Sequence, residues 1–238
     1  MAGKILKLGI LFSFIFVVGC GPNYLPALWD SAPPMSAPTE VRKETTFLSA
    51  YYNSTGGFNS GDENKFFRAN LVKAIGGSWY KFSGGGFAYL GNYNVQNAQE
   101  VEPNRGEKSY FGVGADIDVN IFLPLHLFNV GIGTYSGVAG EFGSYTSFRK
   151  SREGKSEISP IFDEIVPFLS GYTFLQFNFS KSDNLTVRAG MGLPGGYFLN
   201  LGYYNINYGG FWVGWSATET DTGSEFGVTS AGFSIKIK

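Results

Sequence analysis

The chain has a single cysteine, Cys20, and a single histidine, His126. One thiol excludes intramolecular disulfides and every thiolate-cluster metal site, and one imidazole excludes multi-histidine metal sites. Charge is scarce as well. Charged residues make up 16% of the chain, where soluble domains carry about 25%. The 18 basic residues against 19 acidic ones leave a formal charge of -1, so no basic footprint points to nucleic acid. The apolar run from Leu8 to Gly19 is too short to cross a bilayer as a helix, which takes about 20 residues. No cofactor-binding motif stands out: Gly84-Gly85-Gly86 and Gly195-Gly196 lack the Lys-Ser/Thr ending of a nucleotide loop. The expectation is a chain with no cofactor and no metal.

Glycine and aromatic residues are present in excess. The chain has 34 Gly among 238 residues and is 17% aromatic, a glycine share roughly twice the usual ~7%. With 43% apolar residues it has enough surface to bury to offset chain entropy, so general disorder is excluded.

The first residues read as an address. Lys4 and Lys7 precede the apolar run, which fits a secretory h-region, and the run ends at Val17-Val18-Gly19-Cys20. That tetrapeptide resembles the bacterial lipobox, which implies removal of residues 1–19 and lipidation of Cys20. Acyl chains stabilise membrane attachment by about 0.8 kcal/mol per buried methylene, and several together make a durable anchor. Gly21, not Asp, follows the Cys; by resemblance to lipoprotein sorting this favours the outer membrane.

Residues 20–43 carry five of the ten prolines, which favour extended backbone and remove donors. They read as a tether or a plug-like arm. Asp30-Ser31-Ala32 resembles a short O-glycosylation acceptor, with a plain solvated turn as the competing reading.

From Thr45 onward the pattern is period two. Phe111, Val113, Ala115, Ile117, Val119 and Ile121 alternate with Gly112, Gly114, Asp116, Asp118 and Asn120. Leu185 to Met191, Tyr197 to Tyr204 and Phe211 to Thr218 behave alike, and no segment carries a convincing helical period. The pattern predicts an all-β chain of about ten strands (8–12), at roughly 45–54, 64–74, 78–96, 108–121, 127–149, 168–180, 184–193, 196–206, 210–219 and 224–237. The expected architecture is an antiparallel up-and-down transmembrane β-barrel over residues 44–238. In a membrane barrel the apolar face meets lipid and the small polar face fills the lumen; in a lipocalin-like barrel the apolar face points inward. Aromatic pairs near strand ends, Tyr51-Tyr52, Trp79-Tyr80, Tyr203-Tyr204 and Phe211-Trp212, suit interfacial girdles.

An even strand count returns both barrel ends to one rim. With a lipid anchor on the periplasmic side, the longer connections, among them Lys150 to Pro167, face outward. That loop is the candidate contact site, through Ile158, Ile161, Phe162 and Ile165. Asp116, Asp118, Glu141 and Arg188 fall on the lumen parity and form a candidate polar network, more naturally a filling than a cation path. His126 falls in a short periplasmic turn, Phe122-Leu-Pro-Leu-His126, on the wrong rim for the Ser–His–carboxylate chemistry that acts on outer-leaflet lipid, and reads as a structural residue capping the turn.

The lipobox, the Asn23-Tyr24-Leu25-Pro26 arm and the Gly/Tyr-rich hairpins together resemble the small outer-membrane β-barrel lipoproteins common in Bacteroidota. The resemblance implies membrane lipid and the lipoprotein-processing and barrel-assembly machineries as partners, a lipid-anchored outer-membrane location with periplasmic termini, and no enzymatic activity. A structural, adhesive or small-ligand-binding role stands beside two others: a periplasmic lipocalin-like carrier and a lipid-modifying enzyme.

Overall fold

The computed structural model describes residues 24–39, 41, 43–57, 61–96, 104–151, 164–193, 196–220 and 223–237. The expected signal segment and lipidation site Cys20, the residues Ile158, Ile161 and Phe162, and Pro194 and Gly195, where a turn is expected, lie outside the described residues. Ten antiparallel strands close on themselves in sequence order: β1 (Thr45–Thr55), β2 (Glu63–Gly76), β3 (Tyr80–Val95), β4 (Gly106–Leu125), β5 (Phe128–Gly143), β6 (Ile165–Asn178), β7 (Asp183–Leu193), β8 (Tyr197–Asn205), β9 (Gly209–Thr220) and β10 (Gly223–Lys236). β1 pairs with β10 from Phe47↔Lys236 to Asn53↔Ser230, so the sheet has no free edge to pair with another chain.

Period two decides which way each side chain points. Phe111, Val113, Ile117 and Ile121 on β4 are exposed, while Asp116 and Asn120 between them are buried. Leu48, Leu71, Leu90, Val130, Ile132, Leu175, Val187 and Phe233 extend the outward apolar surface around the barrel. The ten steps from Phe111 to Ile121, at about 3.3 Å each and tilted by about 40°, span about 25 Å, the height of a bilayer-facing band. A lipocalin-like arrangement needs the opposite dress, apolar inside and polar outside.

The terminal aromatic pairs do not all serve the girdle. Trp79 and Tyr80 are both exposed, Trp79 lying just ahead of β3. Within strands the pairs divide: Tyr52 and Phe211 point outward, whereas Tyr51, Tyr204 and Trp212 are buried in the lumen. Adjacent residues on a strand face opposite ways, so a tandem pair inside a strand cannot serve one interface.

One predicted strand ends early. The sequence predicts a strand over 127–149, but β5 stops at Gly143 and a short helix, α1 (Ser144–Lys150), follows. Gly143 has φ +124°, a conformation open to glycine that breaks the pleat. In α1 the buried residues are Tyr145, Thr146, Phe148 and Arg149, an i, i+3, i+4 face, and seven residues are too few to display a helical period. β4 also runs further than predicted, through Pro124 to Leu125, and His126 turns the chain with φ +28°.

Glycines on the lumen face lie beneath aromatic rings. A Cβ on Gly133 would stand 2.3 Å from Cζ of Tyr172, whereas a Cβ on Gly171 would meet nothing within 4 Å. Gly133→Val should therefore destabilise the barrel by about 1–3 kcal/mol or more through overpacking. Gly171→Val, facing outward, should change stability little. Urea unfolding midpoints of the two variants test the pair, and equal midpoints would contradict the assignment of faces.

Candidate functional site

The interior is occupied by the chain's own N-terminal arm. Residues 24–39 and 41 run through the lumen, and Tyr24, Ala27, Leu28, Trp29, Asp30, Ala32, Met35, Ala37 and Val41 are all buried. The order of their partners traces the path. At the rim of the long connections, the Tyr145 hydroxyl donates to the Leu25 carbonyl at 2.8 Å, and the Trp29 indole donates to the Pro167 carbonyl at 2.8 Å. The Asn64 side-chain amide donates to the Ala27 carbonyl at 2.8 Å.

At mid-height, the Arg188 guanidinium donates to the carbonyls of Pro33 and Pro34 at 2.6 and 2.9 Å, and Asn200 donates to Pro33 at 2.8 Å. Lower still, Ser234 donates to the Ser36 carbonyl at 2.8 Å, and Ala37 and Val41 pack with Phe47 and Ala74 at the rim of the short turns.

The prolines suit this passage. A buried backbone must satisfy each N–H and C=O, and consecutive Pro33 and Pro34 bring no N–H to satisfy. Their carbonyls then need donors only, which Arg188 and Asn200 supply. Ser31 donates to the Leu28 carbonyl at 3.0 Å after a 3-10 turn at Ala27–Asp30. The turn is packed inside the barrel and is neither a solvated turn nor an accessible glycan acceptor.

Asp116, Asp118 and Arg188 meet in one polar layer; Glu141 sits apart, near the long-connection rim. Asp116 pairs with Arg68 and accepts from the Tyr135 hydroxyl at 2.8 Å. Asp118, on the same face two residues further along, accepts from Lys81 at 2.9 Å and from the Tyr172 hydroxyl, and Arg188 stands 4.0 Å away. The Arg68 guanidinium carbon lies 3.5 Å from the Phe87 ring centroid, and that of Arg188 lies 4.7 Å from the Tyr172 ring. Both placements favour the cation. Glu141 pairs with Arg149 of α1 at 2.8 Å, accepts from the Tyr89 hydroxyl at 3.2 Å and takes the Ala27 backbone N–H.

The cationic partners Arg68, Lys81 and Arg149 are the members that sequence reasoning misses. Arg68 shares its parity with Asn64 and Asn70 on β2, a usable signal that Phe66 and Val72 on the same face obscure. Arg149 is hidden because the predicted strand, 127–149, runs past the real end of β5.

Among the described residues, a cavity of about 40 Å³ lies beside the arm among Leu28, Trp29, Ser31, Pro33, Arg68 and Tyr135, room for a water or two. A larger cleft of about 430 Å³ lies at the short-turn rim, lined by Ser78, Phe122, Pro124, His126, Asn129 and Asn178. His126 is thus separated by the height of the barrel from Glu141 and Arg149. The outward loop retains one described apolar contact candidate, Ile165, which begins β6 and is exposed.

Asp30 caps the arm where it meets the long-connection ends of β1 and β2, with Thr55 and Asn64 donating to its carboxyl (Asn64 at 3.3 Å). Burial pushes this carboxyl up to about 7, against the downward pull of those bonds. An acid whose folded pKa exceeds its unfolded value of about 3.9 favours folding most below that lower value, and the benefit is lost as pH rises to the folded pKa. The thermal midpoint should therefore fall between about pH 4 and about pH 7 and level off above, and Asp30→Asn should flatten that part of the profile. An unchanged slope in the variant would count against a buried, protonated Asp30.

No family model matches this sequence, and no curated protein matches it. Among solved structures, the chain is similar to the translocator domain of the autotransporter NalP from Neisseria meningitidis. That similarity has 10% identity, covers 84% of this chain and 89% of that chain, and gives a TM-score of 0.33.

Proposed function

We propose that this chain is a lipid-anchored outer-membrane β-barrel whose lumen is closed by its own arm, and that it acts as a structural or adhesive element of the cell envelope without enzymatic activity. The observation that carries this reading is the division of faces: an aliphatic exterior about one bilayer band high around an interior of ion pairs, aromatic rings and the seated arm. In water, such an exterior would leave several hundred square ångströms of contiguous apolar surface exposed, which soluble monomers rarely tolerate. In lipid it is the stable arrangement, and closure satisfies the backbone.

A non-enzymatic role is supported by the state of the polar groups. The lumen carboxylates Asp116, Asp118 and Glu141 each hold a cation, and the single histidine lies at the opposite rim from Glu141. The arm seated in the lumen also disfavours small-ligand binding inside the barrel, and the outward apolar faces disfavour the lipocalin-like carrier. Membrane lipid and the lipoprotein-processing and barrel-assembly machineries are the partners this reading requires.

The test is fractionation with and without the anchor. Cys20→Ser should abolish incorporation of labelled palmitate. The variant should still need detergent for extraction and should still show a mobility shift between unheated and boiled samples. A Cys20→Ser protein that stays soluble without detergent would refute the membrane barrel, and a wild-type chain that takes up no palmitate would refute the lipoprotein.

A further inference from the structure

The arm enters the barrel from the rim opposite to the one at which the barrel itself begins and ends. β1 starts and β10 finishes at the short-turn rim, where the Ile237 N–H donates to the Thr46 carbonyl at 2.9 Å. Tyr24 lies at the other rim, packed edge-on against Phe148 of α1 at a centroid distance of 4.8 Å and against Tyr93 near the end of β3 at 6.2 Å. Between them the contacts descend in order: Leu25 with Tyr145, Trp29 with Pro167, Pro33 with Arg188 and Asn200, Ser36 with Ser234, and Val41 beside Gly76. The path is monotonic from rim to rim.

Reach then limits where anything attached just before Tyr24 can be. Four residue steps separate Cys20 from Tyr24, and a fully extended chain covers at most about 3.6 Å per residue, so about 14 Å in all. The apolar band is about 25 Å high. A lipid on Cys20 cannot return to the leaflet at the short-turn rim. Membrane barrels keep short turns on the periplasmic side and long connections outside, and here the two ends of the barrel and its tight turns share one rim.

Resting on the proposed reading of the chain as a lipidated outer-membrane barrel, we infer that the arm threads the barrel and delivers the acylated amino terminus to the external leaflet, while the carboxyl terminus stays in the periplasm. The partner of this terminus is therefore the outer lipid surface. The expectation that the anchor lies with the barrel ends in the inner leaflet is replaced by anchorage from the opposite side. The lumen contacts act as a staple: the ion-paired interior holds the arm, and the lipid fixes its outer end.

The experiment places one epitope between Pro22 and Asn23 and, in a second strain, the same epitope after Lys238. Antibody should decorate intact cells of the first strain, and the second only after the outer membrane is permeabilised. Epitope at the amino terminus reached only after permeabilisation would overturn the inference, as would a carboxyl-terminal epitope exposed on intact cells. If the inserted epitope prevents assembly, judged by loss of the heat-dependent mobility shift, Asn23→Cys probed with a membrane-impermeant maleimide replaces it, with Ile237→Cys as its counterpart. Labelling of the Asn23→Cys protein in intact cells, and of the Ile237→Cys protein only after permeabilisation, supports threading; the reverse order overturns it. Palmitate incorporation is read in parallel: its absence with an accessible amino terminus sinks the lipoprotein reading and leaves the threading intact.

Discussion

Deleting residues 27–37 should turn an electrically silent barrel into a conducting one. The arm fills much of the lumen, and its removal leaves a passage lined by aromatic rings such as Tyr51, Phe87 and Trp212 together with the polar groups Arg68, Tyr135, Arg188 and Asn200. The strands themselves should keep their register, because the backbone ladders run between neighbouring strands and the arm is held by side chains alone. In planar bilayers the full-length chain should give no steps and the deletion discrete ones, while circular dichroism and the heat-dependent mobility shift report that the barrel persists. A folded deletion variant that remains silent would show that the strands close over the vacated space or that the arm is not the seal. A milder version isolates one contact. Trp29→Ala removes a buried indole bonded to Pro167 and should cost about 3–5 kcal/mol, and the opened space should raise the frequency of transient openings.

Arg68→Ala should be the most damaging single charge removal. The guanidinium is buried, pairs with Asp116, lies over the Phe87 ring and donates to Tyr135 at 2.8 Å and to Asn70 at 2.6 Å. Without it, Asp116 is left buried two residues from Asp118 with the Tyr135 hydroxyl as its remaining donor. Removing one partner of such a pair costs about 3–5 kcal/mol, most of it the uncompensated charge. Replacing both, Arg68→Met with Asp116→Leu, should recover much of the loss. The exposed pair Lys65–Glu63, at 2.7 Å, provides the contrast: Lys65→Ala should fall within about 1 kcal/mol of the parent. Urea unfolding in detergent micelles measures all three. If Arg68→Ala and Lys65→Ala unfolded at similar urea concentrations, the buried network would not be a principal support of the barrel.

The two predictions draw on parts of the molecule that are unequally legible in the sequence. The face that bears Asp116 and Asp118 is visible from alternation alone, because six apolar residues at period two leave only one orientation for the residues between them. Arg188 and Glu141 follow the same parity. Their partners are less visible. Arg68 and Lys81 lie on strands whose inward face mixes phenylalanine, valine and glycine with polar groups, and which cation meets which carboxylate depends on strand register across the sheet, as in Lys81↔Asn120 and Ser83↔Asp118 between β3 and β4. The short helix α1 reads as a continuation of β5 because seven residues are too few to reveal a helical period. Its consequence is local but specific: it brings Arg149 to Glu141 and Tyr145 to the arm.

By itself, the amino-acid sequence determined the all-β class, the number and approximate bounds of the strands, and which side of each strand is apolar. These are local properties, repeated every two residues and reinforced from strand to strand. Tertiary structure alone decided that the apolar side faces outward, that Tyr51, Tyr204 and Trp212 turn inward, and that the proline-rich segment is a plug running from rim to rim. A segment without periodicity has no face to read. Its conformation is set by partners such as Arg188 and Asn200, more than 150 residues away along the chain, which exist as a site only once the barrel has closed around it.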